Sequence, residues 1–351
     1  MGGLATLGVA VLLAGCATAP EETNESATPA ASDFVPCMVS DSGGFNDKSF
    51  NQIGKQGLDD AAKDLGVKAN AVESQTETDY ASNISNLVDQ GCNIIVTVGF
   101  LLADATKAAA AENPDVDFAI IDDSSIDAPN VKPIVFDTAQ AAFLAGYAAA
   151  SYTKTGVVGT FGGIPIPPVT IFMDGFVDGV NYHNQTKGTA VKVIGWDVKA
   201  QDGAFTGGFD ANDTAKSTAQ NILDQNADVI LPVGGPIYKS AAEAIRDSGK
   251  DIALIGVDAD VTETDPSVAD LLLTSIMKGM QVGVADVVKS AADGNFDKSP
   301  FVGTLENGGV SIAPFHEFED KVSPDLSKEL DQVKADIISG KIKVESPSSP
   351  K

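Results

Sequence analysis

Val35-Pro36-Cys37-Met38-Val39-Ser40, then Asp41-Ser42-Gly43-Gly44-Phe45-Asn46-Asp47-Lys48-Ser49-Phe50-Asn51, carries the architecture of the chain in miniature. A short β-prone run ends in a turn rich in glycine and carboxylates. Helical spacing begins at once after it, with Phe50, Ile53, Leu58, Ala61 and Leu65 on one face of a helix predicted over 48–65. The same handover recurs. Strands are predicted over 67–72, 93–98, 118–121 and 131–136, with helices over 80–90 and 103–111. The alternation then restarts, with helices over 139–153, 169–181, 213–226 and 237–248 and strands over 157–161, 191–195, 228–233 and 252–257. Such βα repetition means parallel sheets with helices on both faces. Two units of similar size predict an α/β protein of two Rossmann-like lobes. Beyond 257 come a strand over 271–275, a helix over 278–292, short strands near Val302 and Val310, and a helix over 326–338. These are the extra elements of a chain that crosses between lobes more than once. The expected first lobe is 33–137 plus 261–298, and the second is 138–260 plus 299–345. Hinges are expected near 137–139, 258–260 and 296–300.

Composition narrows the function. The chain has 351 residues, about two domains' worth at roughly 150 residues each. Hydrophobic residues make up 43% and charged residues 21%, enough for a sizeable core. The formal net charge is −26, a field that repels nucleic acid and anionic lipid headgroups. Arg246 is the one arginine, so an arginine clamp on a polyanion is not expected. Two histidines, His183 and His316, and three cysteines make a multi-ligand zinc site improbable, and no metal or cofactor is expected. The motifs Gly-x-Ser-x-Gly, Walker loop and zincin helix are missing from the sequence, so an enzyme is not expected.

The N-terminal residues read as an address. Leu4 to Ala14 form an apolar run of signal-peptide length, ending in Leu13-Ala14-Gly15-Cys16. That string matches the lipobox of bacterial lipoproteins, in which the cysteine is lipidated; the rival reading is an ordinary signal peptide with a chance cysteine. No Lys or Arg precedes the run, which points to a start upstream of Met1. Residues 17–32 are polar and low in complexity, so they read as a tether. The expected division is signal peptide 1–15, tether 16–32 and a disordered tail 346–351. The expected location is the extracytoplasmic face of a cell membrane, by lipid anchor. Cys37 and Cys92 both open predicted strands. In a doubly wound sheet of order 2-1-3 those strands are parallel neighbours, so an exported protein is expected to bridge the two cysteines. Two buried free thiols are the alternative.

In open α/β sheets ligands bind outside the carboxyl ends of the strands. Those ends carry Asp41 to Asn51, Gly99-Phe100, Asp122-Asp123, Gly162-Gly163, Gly234-Gly235 and Asp258-Ala259-Asp260. Glycines permit close backbone approach, and aspartates accept hydrogen bonds from neutral hydroxyls and N–H groups. The set describes a cleft of carboxylates and aromatics.

The string 41–51 resembles the basic membrane protein family of substrate-binding lipoproteins. So do Val98-Gly99-Phe100, Phe143-Leu144-Ala145-Gly146-Tyr147, Gly256-Val257-Asp258-Ala259-Asp260 and Thr274-Ser275-Ile276-Met277-Lys278. The resemblance spans roughly 33–345. It implies a type I periplasmic binding protein fold, with two lobes joined by hinge crossovers. It also implies a nucleoside delivered to the permease and ATPase of an ABC importer by a chain expected to be monomeric. Carried over, Phe50 and Phe205 match the aromatics that sandwich the base, with Phe209 the rival of Phe205. Asp47 and Asp122 match polar contacts to the base, with Asp123 the rival of Asp122. Asp41, Asp258 and Lys278 match contacts to the ribose, and Gly234 or Gly235 lends backbone. Asn46 and Phe100 are further candidates. A tethered sugar binder or signalling receptor of the same fold is the alternative.

Overall fold

A computed structural model describes residues 33–351. The signal segment, Cys16 and the tether lie outside the described residues. The first unit runs β1 (Pro36–Val39), α1 (Phe50–Leu65), β2 (Asn70–Val72), α2 (Tyr80–Asp89), β3 (Ile94–Val98), α3 (Ala103–Glu112), β4 (Asp117–Ile121) and β5 (Val131–Phe136). The second runs α4 (Ala139–Tyr152), β6 (Val157–Gly162), α5 (Pro167–Lys187), β7 (Lys192–Ile194), a ribbon of β8 (Trp196–Asp197) and β9 (Asp202–Gly203), then α6 (Asp213–Leu223), β10 (Val229–Val233), α7 (Ile237–Ser248) and β11 (Ala253–Asp258). The remainder is α8 (Val261–Thr264), β12 (Leu272–Lys278), α9 (Met280–Ala292), β13 (Phe301–Gly303), β14 (Val310–Ile312) and α10 (Leu326–Ile338).

Every residue of β3, β10 and β11 is buried, as strands covered by helices on both faces must be. The two sheets have orders β13-β5-β4-β3-β1-β2 and β14-β12-β11-β10-β6-β7. Position by position these orders match, so β4 in one sheet corresponds to β11 in the other. Both follow the 2-1-3-4-5 pattern with one added edge strand. Within these two sheets all pairings are parallel except that of β14 with β12; the β8–β9 ribbon is antiparallel. This is the α/β two-lobed architecture expected from the sequence.

The expected lobe boundaries are corrected in two places. β12 pairs in parallel with β11, so residues 272–278 belong to the second sheet. The helix after it, α9, returns to the first lobe and packs on α1, where Lys289 pairs with Asp64 and Gln281 bonds Asp60, both at 2.6 Å. β13 then pairs with β5 in the first sheet before β14 rejoins the second. The crossings therefore lie at 137–138, at Gly279 and over 304–309, and not at 258–260 or 296–300. They run side by side: the Asp137 N–H donates to Gly303 O, and the Gly279 N–H donates to Gly309 O, each at 2.8 Å. A Cβ on Gly309 would sit 2.3 Å from the Gly303 Cα, so only glycine permits this approach.

The C-terminal residues 346–351 are also not the disordered tail that their Ser/Pro composition suggests. Ser346 donates to Asp174 (2.6 Å), Ser348 shares a hydrogen bond with Thr170 (2.8 Å), and Ser349 donates to Asp137 at the first crossing (2.9 Å). Asp174 is fully buried and also accepts from Trp196 Nε1 and Gln201 Nε2. A buried carboxylate with room for a third donor is what holds the tail.

Neighbouring β1 and β3 bring Cys37 and Cys92 to a Cα separation of 6.0 Å, and the two are joined by a disulfide. The bridge closes a loop of 55 residues. Chain entropy alone gives such a loop about 4 kcal/mol, an upper bound. The C37A/C92A variant is expected to unfold at lower urea concentration than the wild type by about 2–4 kcal/mol. Reducing agent should lower the stability of the wild type alone.

Candidate ligand-binding site

The cleft between the lobes is built from strand ends. β1 ends one residue before Ser40, and the turn after it folds back on α1. Asp47 caps that helix: Oδ1 accepts from the N–H groups of Ser49 (2.9 Å) and Gln52 (3.1 Å), and Oδ2 from the N–H of Asn51 (2.8 Å). An anionic side chain at a helix N-terminus is favourable for both the orphan N–H groups and the dipole. The Asn51 side chain, also buried, donates to Asp41 Oδ1 (2.7 Å) and Asp47 Oδ2 (3.1 Å). Gly43 N–H adds a second bond to Asp41 Oδ1 (2.8 Å). Asp41 is thus held by one oxygen, and Asp47 is committed with both.

At the centre stands Lys278, the last residue of β12 and only 5% exposed. Sequence periodicity placed it in the first turn of a helix; it is instead a strand-end residue pointing at two carboxylates. Its Nζ lies 2.6 Å from Asp122 Oδ2 and 3.5 Å from Asp258 Oδ1. Asp122 follows β4 and Asp258 ends β11, the matching strands of the two sheets. Both aspartates have left-handed backbone, φ 67° and 69°. Such strain in non-glycine residues is characteristic of functional sites. The ammonium also lies over the rings of Phe172 (5.0 Å), Phe50 (5.2 Å) and Phe136 (5.9 Å). Ser49 Oγ crosses the cleft as well, donating to Val257 O (2.9 Å) and Asp258 Oδ2 (3.3 Å).

Burial pushes the Asp41 carboxyl up to about 6, aided by the nearby Asp47 and Asp258 charges. Burial also raises Asp258 to about 6, against the opposing pull of Lys278. Asp122 is likewise raised by burial. Burial works against the Lys278 ammonium, but the two carboxylates outweigh it and hold Lys278 above its usual range.

Around this centre a cavity is lined by Asp41, Gly43, Asp47, Phe50, Asn51, Gly99, Phe100, Asp122, Phe172, Phe209, Gly234, Asp258 and Lys278, among others. Its walls enclose about 590 Å³ not filled by protein atoms, counted out to the mouth. Of the residues picked from the sequence, Asp41, Asp47, Phe50, Phe100, Asp122, Gly234, Asp258 and Lys278 come together here. Two do not. Asn46 is exposed and outside the lining. Phe205 packs edge-on against Trp196, ring centroids 5.9 Å apart, as part of the second lobe's interior. Phe209 takes the place at the wall, as the rival reading allowed. Asp123 turns away to accept from Ser125, leaving Asp122 to the cleft. Lining residues that the sequence reading did not pick include Asn51, Ile166, Val169, Phe172 and Pro236. Two strand-end glycines seat Phe209: a Cβ on Gly163 or Gly234 would lie 2.4 or 2.6 Å from its ring, as one on Gly162 would lie 2.8 Å from Phe205.

Comparison with known proteins places the chain in a family. The family described as ABC transporter substrate-binding protein PnrA-like matches residues 34–348. The chain belongs to this family. It is 30% identical over 360 residues to the ABC transporter nucleoside-binding protein BmpA of Lactococcus lactis, covering 98% of this chain and 97% of that one. Basic membrane protein D of Borreliella burgdorferi is 30% identical over 308 residues, covering 86% and 85%. The crystal structure of an ABC transporter solute-binding protein from Aeropyrum pernix superposes with a TM-score of 0.79 at 27% identity, covering 90% of this chain and 94% of that one. The chain is therefore a substrate-binding protein of an ABC transporter, and such proteins work outside the cytoplasm with a permease and an ATPase. It is not an enzyme. Among the described residues no helix is long and apolar enough to cross a membrane.

The buried triad makes a pH-resolved prediction. Lys278→Met leaves Asp122 and Asp258 facing each other with no cation, a loss of about 3–5 kcal/mol. Burial already holds the wild-type Asp258 at about 6, above the unfolded 3.8, although Lys278 pulls it down; removing that cation raises it further. The folded variant therefore binds a proton at a pH where the folded wild type and the unfolded chain do not, and its deficit shrinks as pH falls. Urea unfolding should show a large deficit for Lys278→Met at pH 7.5 and a smaller one at pH 5.5. Equal deficits at both would mean that the carboxylates are not what the lysine offsets.

Proposed function

We propose that this substrate-binding protein takes a nucleoside, a purine nucleoside foremost, into the interlobe cleft. It passes the ligand to its permease as a monomer held at the membrane by a lipid on Cys16. The observation that carries the reading is the pairing of aromatic walls with a carboxylate centre. Phe50, Phe100 and Phe209 line the cavity, and stacking of a base on an aromatic ring is worth about 1–3 kcal/mol. Asp41, Asp258 and Asp122 can accept from hydroxyl and ring N–H donors, and Lys278 retains donor capacity beyond its two carboxylate partners. The relative named for nucleoside binding supports the same class. Asp47, committed to its helix, acts here by fixing Phe50 and Asn51 rather than by giving its oxygens to the base. Phosphate is disfavoured, because a dianion would meet clustered carboxylates in a chain of net charge −26.

Calorimetry should find adenosine, guanosine or inosine bound at least 100-fold more tightly than their monophosphates. Phe209→Ala should weaken the nucleoside at least 10-fold, while Phe205→Ala lowers stability and leaves affinity within about twofold. Asp258→Asn should cost roughly 1.5–3 kcal/mol of binding. Tighter binding of AMP than of adenosine would overturn the proposal. Binding of monosaccharides alone would replace it with the sugar reading.

A further inference from the structure

His316 takes no part in the cleft, yet it is one of only two histidines in the chain. It lies in the segment that follows β14, just ahead of α10. Its Nε2 sits 2.7 Å from Asp260 Oδ2. Asp260 caps α8 through its other oxygen, which accepts from the Thr262 N–H (3.2 Å). Glu263, one turn along the same helix, completes a group whose ligand atoms all lie within 4.8 Å of one another. From these three side chains we propose a surface site for one divalent transition metal ion, with Zn²⁺ the best match.

Chemistry selects the ion. One imidazole nitrogen with two carboxylate oxygens suits zinc, nickel or copper; calcium and magnesium prefer oxygen alone. Zinc takes nitrogen and oxygen at about 2.0–2.2 Å, so tetrahedral partners stand about 3.4 Å apart. The His316–Asp260 contact would open by under an ångström, exchanging a shared proton for the metal. Glu263 is exposed and free to swing in. Asp260 and His316 are only partly exposed, and neither needs to leave its seat. Three protein ligands leave the fourth position for water.

The location gives the ion a consequence. Asp260 stands two residues after Asp258, and Thr264 at the end of α8 donates across the cleft to Lys48 O (2.6 Å). A bound ion would staple the turn between β11 and α8 to the C-terminal segment, fixing the frame from which Asp258 reaches the cleft. Two histidines and three cysteines are too few for a zinc site of those residues alone; the fold supplies carboxylates in their place.

The test uses the full chain with Cys16→Ser, so that no free thiol competes, and adds ZnCl₂. Imidazole nitrogen NMR is decisive because the chain has two histidines. His183 bonds Thr189 in another part of the second lobe and serves as the internal control. Zinc should move the His316 signals and leave those of His183 in place. Calorimetry should give one ion per chain, weakened at least 10-fold in each of H316N, D260N and E263Q. Asn at 316 tolerates the left-handed backbone there (φ 44°), and Asn at 260 keeps the cap, so these variants retain the fold. Zinc binding that persists in all three variants, or unmoved His316 signals at saturating zinc, would overturn the proposal. MgCl₂ or CaCl₂ matching zinc would overturn the assignment of the ion.

Discussion

A lysine ammonium buried between two aspartates from opposite lobes is the constraint that organises this molecule. Lys278 cannot be left without counter-charge at that depth, and neither can Asp122 or Asp258. Their mutual neutralisation requires the carboxyl ends of β4, β11 and β12 to converge, which is possible only when the two lobes face each other across the cleft. The aromatic rings of Phe50, Phe136 and Phe172 around Nζ exclude water and sharpen every charge interaction inside. The ligand centre and the interlobe contact are thus the same few atoms.

The matching strand orders explain why this centre looks symmetric. β4 and β11 hold equivalent places in their sheets, and each ends in an aspartate with left-handed backbone. Two copies of one βα device, turned toward each other, present two carboxylates that a single cation serves. The crossings that join the halves run side by side, with Gly303 and Gly309 in backbone contact. Between them the tail residues Ser346 to Ser349 tie α5 to the first crossing.

Much of this was legible in the sequence, for local reasons. Strand–helix alternation is set by side-chain periodicity, and the turn after β1 announces its carboxylates within ten residues. The Cys37–Cys92 bridge was legible from the expected strand order taken together with the export signal, against the alternative of two free thiols. What escaped is non-local. Nothing in residues 272–278 says which sheet they join, because a buried parallel strand reads the same in either lobe. Lys278 sits where strand becomes helix, and helical periodicity runs straight through it. Phe205 and Phe209 share a loop without periodicity, and each packs on strand-end glycines, Phe205 on Gly162 and Phe209 on Gly163 and Gly234, so no local pattern separates them. Asp47 matched a ligand pattern, yet its capping bonds use both oxygens. The tail's partner, Asp174, lies 172 residues away in the chain.

The central claim is that ligand joins two half-sites that meet only when the lobes close. Small-angle scattering on the ligand-free chain and at saturating nucleoside tests it most directly. The account predicts a smaller radius of gyration with nucleoside, and a loss of that contraction in Lys278→Met, whose unpaired carboxylates oppose closure. Identical profiles for the wild type with and without saturating nucleoside would contradict it, placing the whole site within one lobe.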